Sequence, residues 1–172
     1  MSGTPSLRTV LLLPALVAAS VVLVVGCGDS DDAVGYSAAD LGSGEEVSVE
    51  SLRGRPVVLV SWATWCRECD EELTALQAFS RSGEAEGVEV VAVNLDAADV
   101  DDDIDAKVEA NGLDVTLWRD RRNDFKRSFG ALGVPTTVVI DADGRVAGTF
   151  PGGVDFEDEE MRTTLDAVRT GT

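Results

Sequence analysis

A chain of 172 residues, 44% of them apolar, supplies one globular core once any targeting segment is set aside. Its 14 basic and 32 acidic residues leave a formal charge of -18 at pH 7, which argues against nucleic acid as a partner, because phosphate binding needs a basic footprint. There is no histidine, which removes Ser-His and Cys-His nucleophile pairs, mixed Cys/His zinc sites and histidine-ligated haem, so any catalysis must rest on cysteine and carboxylates.

From the N-terminus, a single basic residue, Arg8, precedes an uncharged apolar run from Val10 to Val25, and Gly26-Cys27 follow. Such a run between a basic start and a small residue reads as a secretory signal. Val24-Val25-Gly26-Cys27 resembles the lipobox of bacterial lipoproteins, although Val24 stands where leucine is usual. The resemblance implies a signal peptide over 1–26, lipidation of Cys27, and a membrane tether outside the cytoplasm, in the periplasm or on the cell surface. An uncleaved anchor is the alternative, since the run is close to the lower limit of roughly 17 residues for a spanning helix. Cleavage to a soluble secreted form ranks third. With Cys27 acylated, Cys66 and Cys69 can pair only with each other or with a partner.

Residues 27–46 are polar and rich in Gly, Ser and Asp, and read as a flexible, self-repelling tether, with the globular domain over 47–172. Pro56 to Trp62 is an apolar β-branched run, consistent with a strand buried on both faces, and Gly87 to Leu95 is another. Between them Leu73, Leu76 and Phe79 at helical spacing predict a helix from the cysteines to about Arg81. A helix with an acidic first turn is expected around Ile104 to Val108, then a strand over Val115 to Asp120 and a short helix over Arg121 to Phe129. Pro135 to Phe150 reads as two strands joined at Asp143-Gly144, and a helix over Phe156 to Val168 closes the chain. The pattern implies an α/β fold, a central mixed β-sheet flanked by helices on both faces.

The chemistry concentrates in SWATWCRECDEEL, Ser61 to Leu73. If the helix begins at Cys66, cysteines at i and i+3 share a face within reach of a disulfide. Cys66 would then sit at the helix N-terminus, where free N–H groups favour a thiolate, as an exposed nucleophile with Cys69 as the resolving thiol. A structural zinc site is disfavoured because there is neither a second pair nor histidine. Two unrelated thiols are hard to sustain in an oxidising compartment.

The segment resembles the active-site segment of the thioredoxin superfamily, and within it the membrane-tethered extracytoplasmic branch, ResA- and TlpA-like thiol-disulfide oxidoreductases. The resemblance takes in GVEVVAVNLD and GVPTTVVIDADGRVAGTFPG and runs from about Val47 to the end. It implies a thioredoxin-like fold, a redox disulfide between Cys66 and Cys69, and substrate contacts from Trp65, Val134 and Pro135, with a cis bond before Pro135. Trp62 is expected to be core. A cis bond needs proline, costing about 0.5–1 kcal/mol there against roughly 2.5–4 elsewhere. Glu72, on the same helix face as Cys69, matches a glutamate associated in this branch with tuning the cysteines and moving protons; an acidic helix start is its plainer explanation. Two departures stand out: Glu68 replaces the proline common between the cysteines, and Leu73-Thr74 replaces one after the glutamate. Arg67 should favour the Cys66 thiolate while Glu68, Asp70 and Glu71 oppose it, which suggests a relatively reducing pair.

The function this implies is an extracytoplasmic thiol-disulfide oxidoreductase, a reductant acting on protein thiols and disulfides, with cytochrome c maturation as the setting the resemblance implies. A disulfide oxidant or isomerase, and a non-catalytic binding lipoprotein, are the alternatives. The expected partners are protein substrates, a membrane electron donor and the membrane itself through the lipid, with no cofactor, no metal and a monomeric chain. DADG (Asp141 to Gly144) reads as a hairpin turn and not a calcium loop, since Gly152 stands at the twelfth position. Asp96 to Asp105 reads as a solvated face, and Arg119, Arg121, Arg122, Lys126 and Arg127 as a basic cluster balancing nearby acids.

Overall fold

All six residues of Val57–Trp62 are buried, as a strand without polar alternation requires. The structure, a computed structural model, describes Met1 and residues 33–171. Cys27 and the apolar run before it lie outside the described residues. Among the described residues no helix is long and apolar enough to cross a membrane. The elements are β1 (Ser37–Asp40), β2 (Glu46–Ser48), β3 (Val57–Trp62), α1 (Cys69–Ser80), β4 (Glu89–Asn94), α2 (Asp101–Ala110), β5 (Thr116–Arg119), α3 (Asp124–Phe129), β6 (Thr136–Ile140), β7 (Val146–Pro151) and α4 (Glu159–Thr170).

The strands form one mixed sheet in the order β2-β1-β5-β4-β3-β6-β7. β3, β4 and β5 are parallel, while β6 runs antiparallel to β3 and β7 antiparallel to β6. Because β3→β4 and β4→β5 step the same way along the sheet, right-handed crossovers put α1 and α2 on one face. Side-chain parity agrees. Val58, Val60 and Trp62 of β3 join Leu73 and Leu76 of α1, Ile104 of α2 and Met161 and Leu165 of α4 in one core. Val57 and Leu59 point the other way and join Phe125 and Phe129 of α3. Each fully buried Leu, Ile or Phe in these layers contributes roughly 1.5–3 kcal/mol.

Helix ends fall where local caps put them. α4 starts later than the expected Phe156 because the Asp158 side chain accepts the Glu160 N–H at 2.9 Å. α3 starts at Asp124 and not Arg121, because Asp120 accepts N–H groups from Arg122 and Phe125 and holds the intervening residues in a turn.

The tether expected through residue 46 is corrected near its end: β1 lies inside it and β2 begins at its last residue, so the domain starts by Tyr36, the early end of the Tyr36 to Val47 range in which the sequence places its start. Tyr36 is 2% exposed and packs edge-on against Phe125 and Phe129, and β1 pairs with β5. These strands are short and made of small or polar residues, so they carry no periodic signal; the buried ring of Tyr36 is what anchors them. At the other hairpin the DADG turn forms as expected: Asp141 Oδ1 accepts the N–H groups of Asp143 and Arg145, and Gly144 takes φ +88°.

Candidate active site

β3 ends at the fully buried Trp62 and hands the chain to a turn over Ala63 to Glu68. Thr64 in this turn is held from the neighbouring strand: its N–H and its hydroxyl both donate to Asp96, at 2.8 and 3.1 Å. Asp96 lies just beyond β4, is 5% exposed, and also accepts from the Asn94 amide at 2.8 Å. The expectation that the acidic stretch from Asp96 is a solvated face is therefore corrected at its first residue; Asp101, Asp102 and Asp103 are exposed as expected. From α2, the Lys107 ammonium donates to the Cys66 carbonyl at 2.5 Å and the Thr64 carbonyl at 3.5 Å, and pairs with Asp70 at 3.0 Å.

The Cys66 and Cys69 sulfurs are 2.04 Å apart in a disulfide, with a Cα separation of 5.4 Å. The helix begins at Cys69, one turn later than the start at Cys66 that the sequence suggests. Glu68 at the N-cap makes no side-chain cap bond, and the Cys69 N–H donates to Cys66 Sγ at 3.2 Å. A sulfur thus occupies the place of a capping oxygen, so the helix terminus acts on Cys66 although Cys66 lies outside the helix. Cys66 is 3% exposed, less than expected of a nucleophile, and Cys69 is fully buried, because both pack into the core shared by α1 and α4. The exposed apolar group of the motif is Trp65, at 69%.

Glu72 shares the Cys69 face of α1 and is 3% exposed. Its carboxylate accepts from the Thr137 hydroxyl of β6 at 2.8 Å and from the Val154 N–H beyond β7 at 2.6 Å. Burial pushes the Glu72 carboxyl above its ordinary range, and the two hydrogen bonds only partly offset it. The Val134–Pro135 bond is cis, Pro135 is buried, and Val134 packs against the core that contains both cysteines. Ser61 of β3 locks this segment: its hydroxyl donates to the Thr136 carbonyl at 3.1 Å and accepts the Thr136 N–H at 3.0 Å. The strand that delivers Cys66 therefore also positions the chain after Pro135. Leu132, 94% exposed, adds a second exposed apolar side chain on the loop before Pro135.

Residues 31–149 match the AhpC/TSA family. The chain belongs to that family. One relative is the thiol-disulfide oxidoreductase ResA of Geobacillus thermodenitrificans, 29% identical over 169 residues, 95% of each chain. The thioredoxin-like protein YneN of Bacillus subtilis is 27% identical over 143 residues, 83% of this chain and 82% of that one. Among solved structures, a putative thiol:disulfide interchange protein DsbE from Chlorobium tepidum superposes with a TM-score of 0.67 at 26% identity, covering 79% of this chain and 94% of the other. The fold is accordingly thioredoxin-like, and this AhpC/TSA member is a thiol-disulfide oxidoreductase carrying the Cys66–Cys69 pair.

Asp96, Lys107 and Ser61 join the site without having been singled out for it. The only advance signal lay in Lys107, one of two lysines in the chain and set in an acidic helix. In the basic cluster, Arg119 is buried and bonded to Asp101 and to the Ala98 carbonyl, Arg121 pairs with Asp99, and Arg122 and Arg127 pair with Asp124. These arginines balance neighbouring acids, as expected.

Proposed function

We propose that this chain reduces disulfides in protein substrates outside the cytoplasm, tethered to a membrane through lipid on Cys27 and supplied with electrons by a membrane donor. The observation that carries the chemistry is the Cys69 N–H on Cys66 Sγ, with Glu72 on the same helix face. In the reduced chain the Cys66 thiolate attacks one sulfur of the substrate disulfide, forming a mixed disulfide and releasing one substrate thiolate. Cys69 then gives its proton to Glu72 and attacks Cys66 Sγ, releasing the second substrate thiolate and restoring the Cys66–Cys69 disulfide. Two electrons pass to the substrate, and the two thiol protons of the chain are lost to base. Trp65 and the backbone at Val134 and Pro135 offer the surface against which an extended substrate segment lies, and one chain suffices.

The resemblance to the tethered branch favours envelope proteins whose cysteines must be reduced, such as apocytochromes before haem attachment. The lipid anchor rests on Val24 to Cys27 and is tested by palmitate labelling that a Cys27→Ala change abolishes.

The deciding experiment replaces Cys69 by serine, so that Cys66 can attack and the mixed disulfide cannot resolve. Covalent adducts with envelope proteins, together with insulin reduction by the wild type, are expected. Absence of both leaves only a binding lipoprotein. A reduction potential near the roughly -120 mV of a strong oxidant, instead of one near the roughly -270 mV of thioredoxin, would reverse the direction of electron flow.

A further inference from the structure

We propose that Lys107 is a positioning residue of the redox centre, holding the Cys66 carbonyl from helix α2 and supplying the fixed positive charge that favours the Cys66 thiolate, with Asp70 as its counterweight. The inference rests on Cys66 being the attacking sulfur.

Geometry carries it. A lysine ammonium has three donors, and here each has a partner: the Cys66 carbonyl at 2.5 Å, the Asp70 carboxylate at 3.0 Å and the Thr64 carbonyl at 3.5 Å. The side chain is 10% exposed, so its charge is screened far less than that of a surface lysine. It is attached to the residue that bears the nucleophile, and α2 is seated by the fully buried Ile104 three positions earlier. The direction of the contact matters as well: two carbonyls of the redox turn accept from the ammonium, so Lys107 adds to the hold that Asp96 has on that turn.

The charges around Cys66 come from several elements. Its own segment supplies exposed Arg67 and the exposed acids Glu68, Asp70 and Glu71. α1 also supplies buried Glu72, Asp96 beyond β4 holds the turn at Thr64, and β6 presents Thr136 and Thr137, which do not titrate. Most of these charges are negative, and the positive one on Arg67 is at the surface. Among the described residues Lys107 is a shielded cation bonded directly to the backbone of Cys66. A nearby opposite charge favours the charged form of a group, and the partial neutralisation of Lys107 by Asp70 keeps its expected effect on the Cys66 thiol to about one pKa unit.

The test is the rate of iodoacetamide alkylation of Cys66 against pH in the reduced full chain, with the exchange equilibrium against glutathione measured alongside. Lys107→Met keeps the length of the stem and removes the charge; it is expected to raise the alkylation midpoint by about one pH unit and to shift the equilibrium up to tenfold toward the disulfide. Asp70→Asn alters a half-exposed residue, leaves packing intact and is expected to lower the midpoint. An unchanged midpoint in folded Lys107→Met overturns the proposal. So does an unchanged midpoint in Asp70→Asn, which decides the matter if the lysine variant does not fold. Because alkylation needs no protein substrate, a wild type that fails to reduce insulin sinks the proposed function and leaves this inference standing on its own readout.

Discussion

Two buried carboxylates flank the cysteine pair, and they differ in what surrounds them. Asp96 is 5% exposed and takes three side-chain and backbone donors, from Thr64 N–H, the Thr64 hydroxyl and the Asn94 amide. Glu72 is 3% exposed and takes two, from Thr137 and Val154, and burial outweighs them, so its carboxyl is pushed upward. Equal burial thus yields unequal chemistry. A carboxylate whose acceptor sites are spent on one turn fixes the shape of that turn, whereas one left short of donors in an apolar layer is ready to take up a proton.

The largest effect belongs to the clip. Asp96→Ala leaves the Thr64 N–H and the Asn94 amide without their acceptor, and each unpaired buried donor costs about 1–3 kcal/mol, for a total near 3 kcal/mol in urea unfolding. Thiol exchange should fall as well, because the turn that presents Cys66 loses its hold on the sheet. A loss below about 1 kcal/mol would mean that water replaces Asp96 without penalty, and the contrast between the two acids would collapse.

The same contrast marks what the sequence could disclose. Glu72 is legible because its relation to Cys69 is local, an i,i+3 spacing on a helix whose apolar positions announce themselves. The partners of Glu72 are not, since Thr137 and Val154 lie 65 and 82 positions away. Asp96 and Lys107 reach the turn from 32 and 41 positions away, which is why the sequence puts the helix start at Cys66 and the fold puts it at Cys69: tertiary bonds keep the preceding turn out of the helix. β3, β4 and the DADG hairpin are legible from composition and turn chemistry alone. β1 and β2 are not, because three or four small and polar residues carry no period, and only the burial of Tyr36 reveals that the domain includes them.

Glu72→Gln should separate the two acids in sign. With its folded-state value raised above the ordinary 4.5, the native protein binds more protons than the unfolded chain between those two values. The stability that protonated Glu72 provides is therefore full below about pH 4.5 and is lost as pH rises through the raised folded value. Relative to wild type, Glu72→Gln should gain stability as pH increases across that window, where Asp96→Ala is destabilised. Its cost appears in catalysis, with resolution of the mixed disulfide slowed about 10²-fold, as for loss of a general base. Stopped-flow tryptophan fluorescence follows that step, and an unchanged rate would reduce Glu72 to an acidic residue of the first helical turn.

The smallest effect tests the balance around Glu72 itself. Thr137→Val keeps a β-branched side chain at a fully buried position of β6 and removes only the hydroxyl that donates to Glu72. Loss of a hydrogen bond to a charged group costs about 1.5–3 kcal/mol, and loss of one to a neutral group about 0.5–1.5. The penalty should accordingly be near the lower figure at pH 4, where Glu72 is protonated in the fold, and larger above the raised folded value, where it must ionise with Val154 as its one remaining donor. The hydroxyl stabilises the ionised form, so its removal raises the Glu72 carboxyl further and carries the pH dependence of mixed-disulfide resolution upward with it. Urea melts at pH 4 and at a pH above the raised folded value read the first consequence, and the pH profile of the resolution step reads the second. Equal penalties at both pH values, with an unmoved profile, would show that Thr137 packs against Glu72 without tuning it, and would make the two buried acids alike after all.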